Sequence, residues 1–90
     1  MVQAHIFYSG MVQGVGFRYT VERIVHQIGH LNGWVRNLQD GRVEICVEGD
    51  KKDIEQLMSA IEQHFNAYIR NKSFSYASSE GSFKDFQITF

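Results

Sequence analysis

The sequence of 90 residues contains no proline and a single cysteine, Cys46. One cysteine cannot form an intramolecular disulfide, which excludes a disulfide-rich secreted scaffold and favours a reducing compartment. No apolar run approaches the about 20 residues that a transmembrane helix needs, and the N-terminus lacks the pattern of a secretory signal peptide. We therefore expect a cytoplasmic protein with no membrane partner.

The chain also lacks a strong charge of either sign. Its 9 lysine and arginine residues nearly balance 10 aspartate and glutamate residues, for a formal net charge of −1. Proteins that bind duplex nucleic acid usually carry a basic stripe, so no nucleic-acid partner is expected. Because 43% of the 90 residues are hydrophobic, the sequence predicts one domain, residues 1–90, with one core. We expect this domain to be a monomer.

The most informative stretch runs from Gly10 to Tyr19 and connects a strand-like apolar run to a helical pattern. The glycines at 14 and 16 permit positive φ angles and close approach of a ligand. Successive amides in such a turn, together with the free N–H groups of the helix that follows, can surround an anion. Arg18, in the first helical turn, can hold two oxygens of one anion with its planar guanidinium. The stretch therefore predicts a phosphate cradle.

This cradle does not match the familiar phosphate motifs. A Walker loop would need Lys and then Ser or Thr after its last glycine, where this chain has Phe17 and Arg18. A dinucleotide fingerprint would need a third glycine at the position of Tyr19. From the glycines alone, a tight strand-to-helix connection with a surface arginine is an equal alternative.

Three motifs, in order, closely resemble the acylphosphatase family: Val12-Gln13-Gly14-Val15-Gly16-Phe17-Arg18, Gly33-Trp34-Val35-Arg36-Asn37 and Asp40-Gly41-Arg42-Val43. The resemblance implies a hydrolase that cleaves small acyl phosphates, such as carbamoyl phosphate, acetyl phosphate or bisphosphoglycerate, without a metal or another cofactor. It implies that Arg18 binds the phosphate and Asn37 positions the attacking water, so that both are catalytic. The phosphate-binding residues would be Gln13, Gly14, Val15, Gly16, Phe17 and Arg18.

The pattern of apolar residues predicts the order β-α-β-β-α-β, with a further strand at the end. The predicted elements are a strand from Val2 to Met11, a helix from Phe17 to Ile28, strands Leu31–Leu38 and Val43–Glu48, a second helix opened by Asp50, a strand-like run Ala67–Ala77, a loop Ser78–Ser82 and a final strand Phe86–Phe90. Gly29 is expected to end the first helix in a left-handed conformation, and Asp50 and Asp53 to form a capping box.

This order predicts an α+β fold, a ferredoxin-like split βαβ sandwich. Its antiparallel sheet of four to five strands would carry two helices on one face. The first two strands would run parallel with the third between them, which would place Asn37 beside the Gly14–Arg18 cradle. The family usually has a Gly-Pro pair after the second helix, where this chain has His64-Phe65-Asn66, so the path of the chain from Asn66 to Ser82 is left open.

Other interpretations of single residues remain. Asn37 near a turn is usually local turn chemistry, and only the resemblance gives it a catalytic role. His26 and His30 have a spacing that suits a metal, but no third ligand is in view. Cys46 is expected to be an inert strand residue, and Arg36 and Arg42 to be solvated charges.

The main alternative function is a non-catalytic phosphate or metabolite sensor on the same fold. An RNA-binding module would need exposed aromatic residues within a basic face on the central strands. The third strand instead offers the side chains of Glu44, Cys46 and Glu48.

Overall fold

In the computed structural model, which describes residues 1–90, the chain forms two helices and five strands in the predicted order. They are β1 (Val2–Gly10), α1 (Phe17–Ile28), β2 (Asn32–Asn37), β3 (Val43–Gly49), α2 (Lys51–His64), β4 (Ile69–Ser78) and β5 (Phe86–Thr89). The bounds of α1 agree with the prediction, whereas the strand ends shift by one or two residues. Neither helix is long and apolar enough to cross a membrane.

The five strands form one sheet in the order β4-β1-β3-β2-β5. The middle strand β3 is antiparallel to β1 and to β2, so β1 and β2 run parallel on either side of it. β4 adds to β1 in antiparallel orientation, whereas β5 adds to β2 in parallel. The predicted ferredoxin-like sandwich is therefore confirmed, and its fifth strand is the parallel one.

Both helices pack on one face of this sheet. The strand residues that point toward the helices alternate along each strand, and the helices present the apolar stripe that their spacing predicts. The fully buried members of this core are Ala4, Ile6, Tyr8, Val12, Val21, Val35, Val43, Ile45, Val47, Ile54, Leu57 and Ile61. A two-layer sandwich of this kind leaves the loops at the strand ends free to form a site.

The connection after α2 is a short turn rather than a long loop. The N–H groups of Tyr68 and Ile69 both donate to the Phe65 carbonyl, at 2.8 and 3.0 Å. Phe65 itself is buried against the core, with 3% of its surface exposed. The segment without proline thus turns around a buried aromatic residue and enters β4 directly.

Two helix ends differ from the prediction. Gly29 has a positive φ of 78°, but its ψ of 165° lies outside the left-handed helical region. Asp50 occupies the N-cap position of α2 but makes no side-chain capping hydrogen bond. The Asp53 N–H instead donates to the Asp50 backbone carbonyl at 3.0 Å. The predicted capping box is therefore wrong, and packing of the apolar stripe holds α2 in place.

The outer face of β3 is buried although no helix covers it. Glu44, Cys46 and Glu48 expose only 5%, 7% and 1% of their surface. Long side chains from the neighbouring strands cover Glu44, and backbone from the β4–β5 connection covers Glu48. Burial, and then the two carboxylates, raise the pKa of the Cys46 thiol, which agrees with the inert role predicted for it.

Candidate active site

The predicted cradle is the segment that links β1 to α1. Gly14 and Gly16 adopt φ angles of +79° and +77°, which L residues with a side chain rarely adopt. A Cβ added to either glycine would meet no atom within 4 Å. These two glycines are therefore required by the backbone conformation, and the space beside them is open to a ligand.

The cradle presents an uninterrupted series of free backbone donors. Gly16 is the N-cap of α1 and receives no side-chain cap, and the first hydrogen bond of the helix runs from the Thr20 N–H to the Gly16 carbonyl at 3.0 Å. None of the backbone amides from residue 12 to residue 19 donates a hydrogen bond within the protein. Free amides at a helix N-terminus, where the helix dipole is positive, favour an anion.

A pocket of about 240 Å³ opens at this cradle. It is lined by Val12, Gly14, Gly16, Phe17, Arg18, Tyr19 and Asn37. The fold thus brings Asn37, the last residue of β2, to the same edge as the cradle, as the order of strands predicts. Of the residues predicted to bind phosphate, Gly14, Gly16, Phe17 and Arg18 line the pocket, whereas Gln13 and Val15 do not.

The side chain of Asn37 has an unsatisfied acceptor. Its Oδ1 atom is buried and accepts no hydrogen bond from the protein. A buried acceptor without a partner costs about 1–3 kcal/mol, so native structures seldom retain one without a reason. Asn37 lines the pocket, but this oxygen has no accessible surface and so does not itself face a molecule bound there.

Arg18 is the only charged residue that lines the pocket. Its side chain is half-buried and makes no ion pair with a carboxylate. Its guanidinium carbon lies 4.7 Å from the centre of the Phe90 ring. A guanidinium held over an aromatic face keeps its charge and its N–H donors available at the edge.

The side chains of Arg36 and Arg42 remain 46% and 41% exposed, in keeping with the solvated charges that the sequence suggests, but each is also paired with a carboxylate. Arg36 Nε donates to Glu44 Oε1 at 2.6 Å, and Arg42 Nε donates to Asp40 Oδ2 at 2.9 Å. Both guanidinium groups also stack on aromatic rings. The Arg42 backbone amide and side chain lower the pKa of Asp40. Because both charges are already paired, they add little to the potential at the pocket.

Gln13 has a role that sequence reasoning missed. Its side-chain Nε2 donates to the backbone carbonyls of Leu38 and Arg42, at 2.7 and 2.9 Å. These acceptors belong to the β2–β3 turn, which begins directly after Asn37. Gln13 therefore connects the cradle by two hydrogen bonds to the turn that follows Asn37. No sequence signal marks this contact, because its acceptors are backbone atoms 25 and 29 residues away.

Fold and pocket together define a ferredoxin-like α+β protein with a loop of free backbone amides beside an asparagine at a strand end. The family model described as Acylphosphatase matches residues 4–88 of the chain. The chain therefore belongs to the acylphosphatase family.

Individual relatives agree with this family. The chain is 46% identical over 59 residues to an acylphosphatase of Roseiflexus sp. (strain RS-1) and 50% identical over 58 residues to one of Nostoc sp. (strain PCC 7120). The matched segments cover 66% and 64% of this chain. They cover 62% and 56% of those relatives, so the chain matches less than two thirds of their length.

Solved structures of similar sequence share the whole fold. The crystal structure of acylphosphatase from Bacillus subtilis matches with a TM-score of 0.90 and 33% identity over 100% of both chains. The crystal structure of T. kodakarensis HypF matches 99% of this chain with a TM-score of 0.82 and 34% identity, but only 12% of that chain. The same fold therefore occurs both as a whole chain and as a small part of a larger one.

Proposed function

We propose that this chain is an acylphosphatase that hydrolyses the carboxyl–phosphate bond of small acyl phosphates. The observation that carries this function is the convergence of three features on one pocket. They are the free amides of the cradle residues that line the pocket, the unpaired charge of Arg18, and the side-chain amide of Asn37. Membership of the acylphosphatase family supports the same activity.

The cradle and Arg18 would hold the phosphoryl group. Its oxygens carry negative charge, and residues that carry free backbone amides line the same pocket as the guanidinium of Arg18. In phosphoryl transfer most of the catalysis comes from positioning and from spreading charge over these oxygens. The free amides of Gln13 and Val15 belong to the same segment, although neither residue lines the pocket.

Asn37 would orient the attacking water. The amide both accepts and donates hydrogen bonds but does not take a proton at neutral pH, so its part is to align the water rather than to deprotonate it. The water oxygen forms a new bond to phosphorus as the bond between phosphorus and the carboxyl oxygen breaks. The products are a carboxylate and inorganic phosphate, and the proton of the water passes to phosphate or to solvent.

The leaving group explains why the pocket needs no acid residue. A carboxylate is the conjugate base of an acid with a pKa of about 4, so it departs without being protonated. A phosphate monoester would release an alkoxide, for which a general acid or a metal is important. The pocket, in which Arg18 is the only charged residue, therefore suits acyl phosphates better than monoesters.

Turnover of benzoyl phosphate by the purified protein tests this function. We expect hydrolysis with release of inorganic phosphate, inhibition by added phosphate, and loss of activity in Arg18→Ala. Treatment with a chelator should leave the rate unchanged. A protein that binds phosphate but does not accelerate hydrolysis would instead be the non-catalytic sensor. A rate lost on chelation and restored by a divalent cation would contradict the metal-independent mechanism.

A further inference from the structure

Two exposed aromatic side chains stand next to the phosphate pocket. Most large hydrophobic residues of the chain are buried, but Tyr19 exposes 60% of its surface and Phe90 exposes 86%. Tyr19 lines the pocket directly. Phe90 does not line the pocket, but it contacts Arg18, which does. The guanidinium carbon of Arg18 lies 4.7 Å from the centre of the Phe90 ring. An exposed apolar surface beside a polar pocket is a common feature of ligand recognition.

Tyr19 supplies the accessible apolar side chain of the pocket lining. Val12 and Phe17 also line the pocket, but they expose 0% and 2% of their surface and belong to the core. Tyr19 follows Arg18 in the first turn of α1 and lines the same pocket, although side chains at adjacent helix positions point about 100° apart. A substrate group that extends beyond the phosphate on this side of the pocket would meet Tyr19.

The size and charge of the pocket restrict what that part can be. The volume of about 240 Å³ lies below the about 300–1,000 Å³ typical of sites for drug-sized ligands, which favours a compact group. A second anionic group on the acyl part would find no further cation in the lining, because Arg18 is the only charged residue there. A compact, uncharged, apolar acyl group fits both conditions.

We propose that Tyr19 and Phe90 form an acyl subsite that selects acyl phosphates with a single flat apolar ring over charged ones and over acyl groups, such as acetyl, that are compact but present no ring. Because the acyl group is part of the substrate proposed above, this subsite rests on the proposed function. Aromatic rings attract one another in stacked or edge-to-face arrangements beyond the gain from burial alone. Tyr19 and Phe90 would thereby determine specificity, while the cradle binds the phosphate common to all these substrates.

The test compares kcat/KM for benzoyl phosphate and acetyl phosphate in each variant. Taking the ratio of the two removes any effect on phosphate binding, which both substrates share. We expect Tyr19→Ala, and separately Phe90→Ala, to lower the benzoyl-to-acetyl ratio by about tenfold. Tyr19→Phe should keep the ratio of the unmodified protein, because it retains the ring. Phe74→Ala is the matched control, since Phe74 is also exposed but lies on β4, at the opposite edge of the sheet from β5.

A binding measurement separates the subsite from the hydrolysis. Calorimetry with the non-hydrolysable benzoylphosphonate and acetylphosphonate should show tighter binding of the aromatic compound, and Tyr19→Ala should abolish that preference. Inorganic phosphate should bind both proteins equally well. If the preference is present but neither acyl phosphate is turned over, the subsite stands and the proposed function fails. If both substrates are turned over and their ratio is the same in Tyr19→Ala, the subsite is refuted and the function stands.

Discussion

At the scale of single residues, Arg18 and Asn37 line the same pocket with different chemistry. Arg18 presents a charge that no carboxylate neutralises, whereas Asn37 presents a neutral amide. A charge attracts the phosphoryl group in the ground state as well as in the transition state. An amide that aligns water matters mainly while the water attacks. Removing the two side chains should therefore produce different kinetic defects.

Arg18→Ala should weaken phosphate binding and lower kcat together, with an overall loss in kcat/KM of about 10²-fold or more. Arg18→Lys should recover little of the activity, because a point charge cannot hold two oxygens with the geometry of a planar guanidinium. Steady-state kinetics and the inhibition constant of phosphate measure both effects. A Lys variant with nearly full activity would show that charge alone is sufficient at this position.

Asn37→Ala should lower kcat by about 10²-fold while phosphate affinity stays within a few-fold of the original. Asn37 ends β2 and pairs with Val43, so its backbone contributes to the hairpin as well. A thermal melt followed by circular dichroism is the control for folding. A folded variant that turns over normally would exclude the water-positioning role. An Asn37→Ala variant that loses phosphate binding as fully as Arg18→Ala would exclude this role as well.

At the scale of elements, the site depends on the junction between the cradle and the β2–β3 turn. Across this turn the Leu38 N–H donates to the Arg42 carbonyl at 2.8 Å, and the Gly41 N–H donates to the Leu38 carbonyl at 3.2 Å. Gln13 donates to both of these carbonyls from the cradle side. One side chain, which itself does not line the pocket, therefore connects the two halves of the pocket by hydrogen bonds.

Gln13→Ala should reduce kcat by about tenfold with little change in phosphate affinity, because a small displacement of Asn37 is costly in the transition state. Stability should fall by only about 1 kcal/mol, since both acceptors are exposed and water can replace the amide. Gln13→Glu should also lower kcat, because a carboxylate cannot donate to a carbonyl, and its negative charge should in addition weaken phosphate binding.

The matched control for Gln13 is Gln87→Ala. Gln87 also makes an exposed hydrogen bond, to Asp85 at 3.0 Å, but it does not contact the cradle. Its loss should leave kcat unchanged. If kcat falls equally in both variants, or in neither, the connection made by Gln13 does not position Asn37.

At the scale of the whole molecule, the features that follow from chain order and periodicity were predictable. The bounds of α1 follow from the spacing of apolar residues, and the placement of Asn37 beside the cradle follows from two parallel strands with a third between them. The hydrogen bonds of Gln13 were not predictable, because they depend on where distant backbone carbonyls lie. The capping box at Asp50 was predicted wrongly. Aspartate is favoured at an N-cap, but in the structure the Asp50 side chain makes no capping hydrogen bond.

The burial of the outer face of the sheet could not be predicted from the sequence either. Alternation along β3 places Glu44 and Glu48 on the face without helices, which would ordinarily be solvated. Both are buried, because Arg36 and His5 bind Glu44 and the segment between β4 and β5 binds Glu48. The composition of that segment predicts only a loop. No sequence pattern indicates that its donors bind the carboxylate of Glu48.

Glu48 connects this segment to the middle of the sheet. Its carboxylate accepts hydrogen bonds from the Ser79 hydroxyl at 2.5 Å and from the Ser82 and Phe83 amides at 3.0 and 2.6 Å. The segment runs from β4 at one edge of the sheet to β5 at the other. Burial raises the pKa of Glu48, but the three hydrogen bonds lower it by more, so the pKa lies below its usual range.

This lowered pKa predicts how stability depends on pH. In the folded state Glu48 releases its proton at lower pH than in the unfolded chain, so its contribution is complete above the unfolded pKa of about 4.3 and is lost as pH falls through the folded value. The pKa of Glu44 is also lowered, since its bonds to Arg36 and His5 outweigh the effect of burial. Acid should therefore destabilise the protein through both carboxylates.

Glu48→Gln isolates the part of this effect that belongs to the segment between β4 and β5. The amide cannot accept all three hydrogen bonds and points N–H groups at other donors, so the variant should be about 1–3 kcal/mol less stable at pH 7. At pH 3, below the unfolded pKa, the difference from the unmodified protein should be smaller, because part of the stabilisation that comes from the lowered pKa is lost there, while the slope due to Glu44 remains in both. Urea unfolding from pH 7 to pH 3 measures the difference. A gap that stays constant over this range would show that the carboxylate charge of Glu48 does not hold the segment.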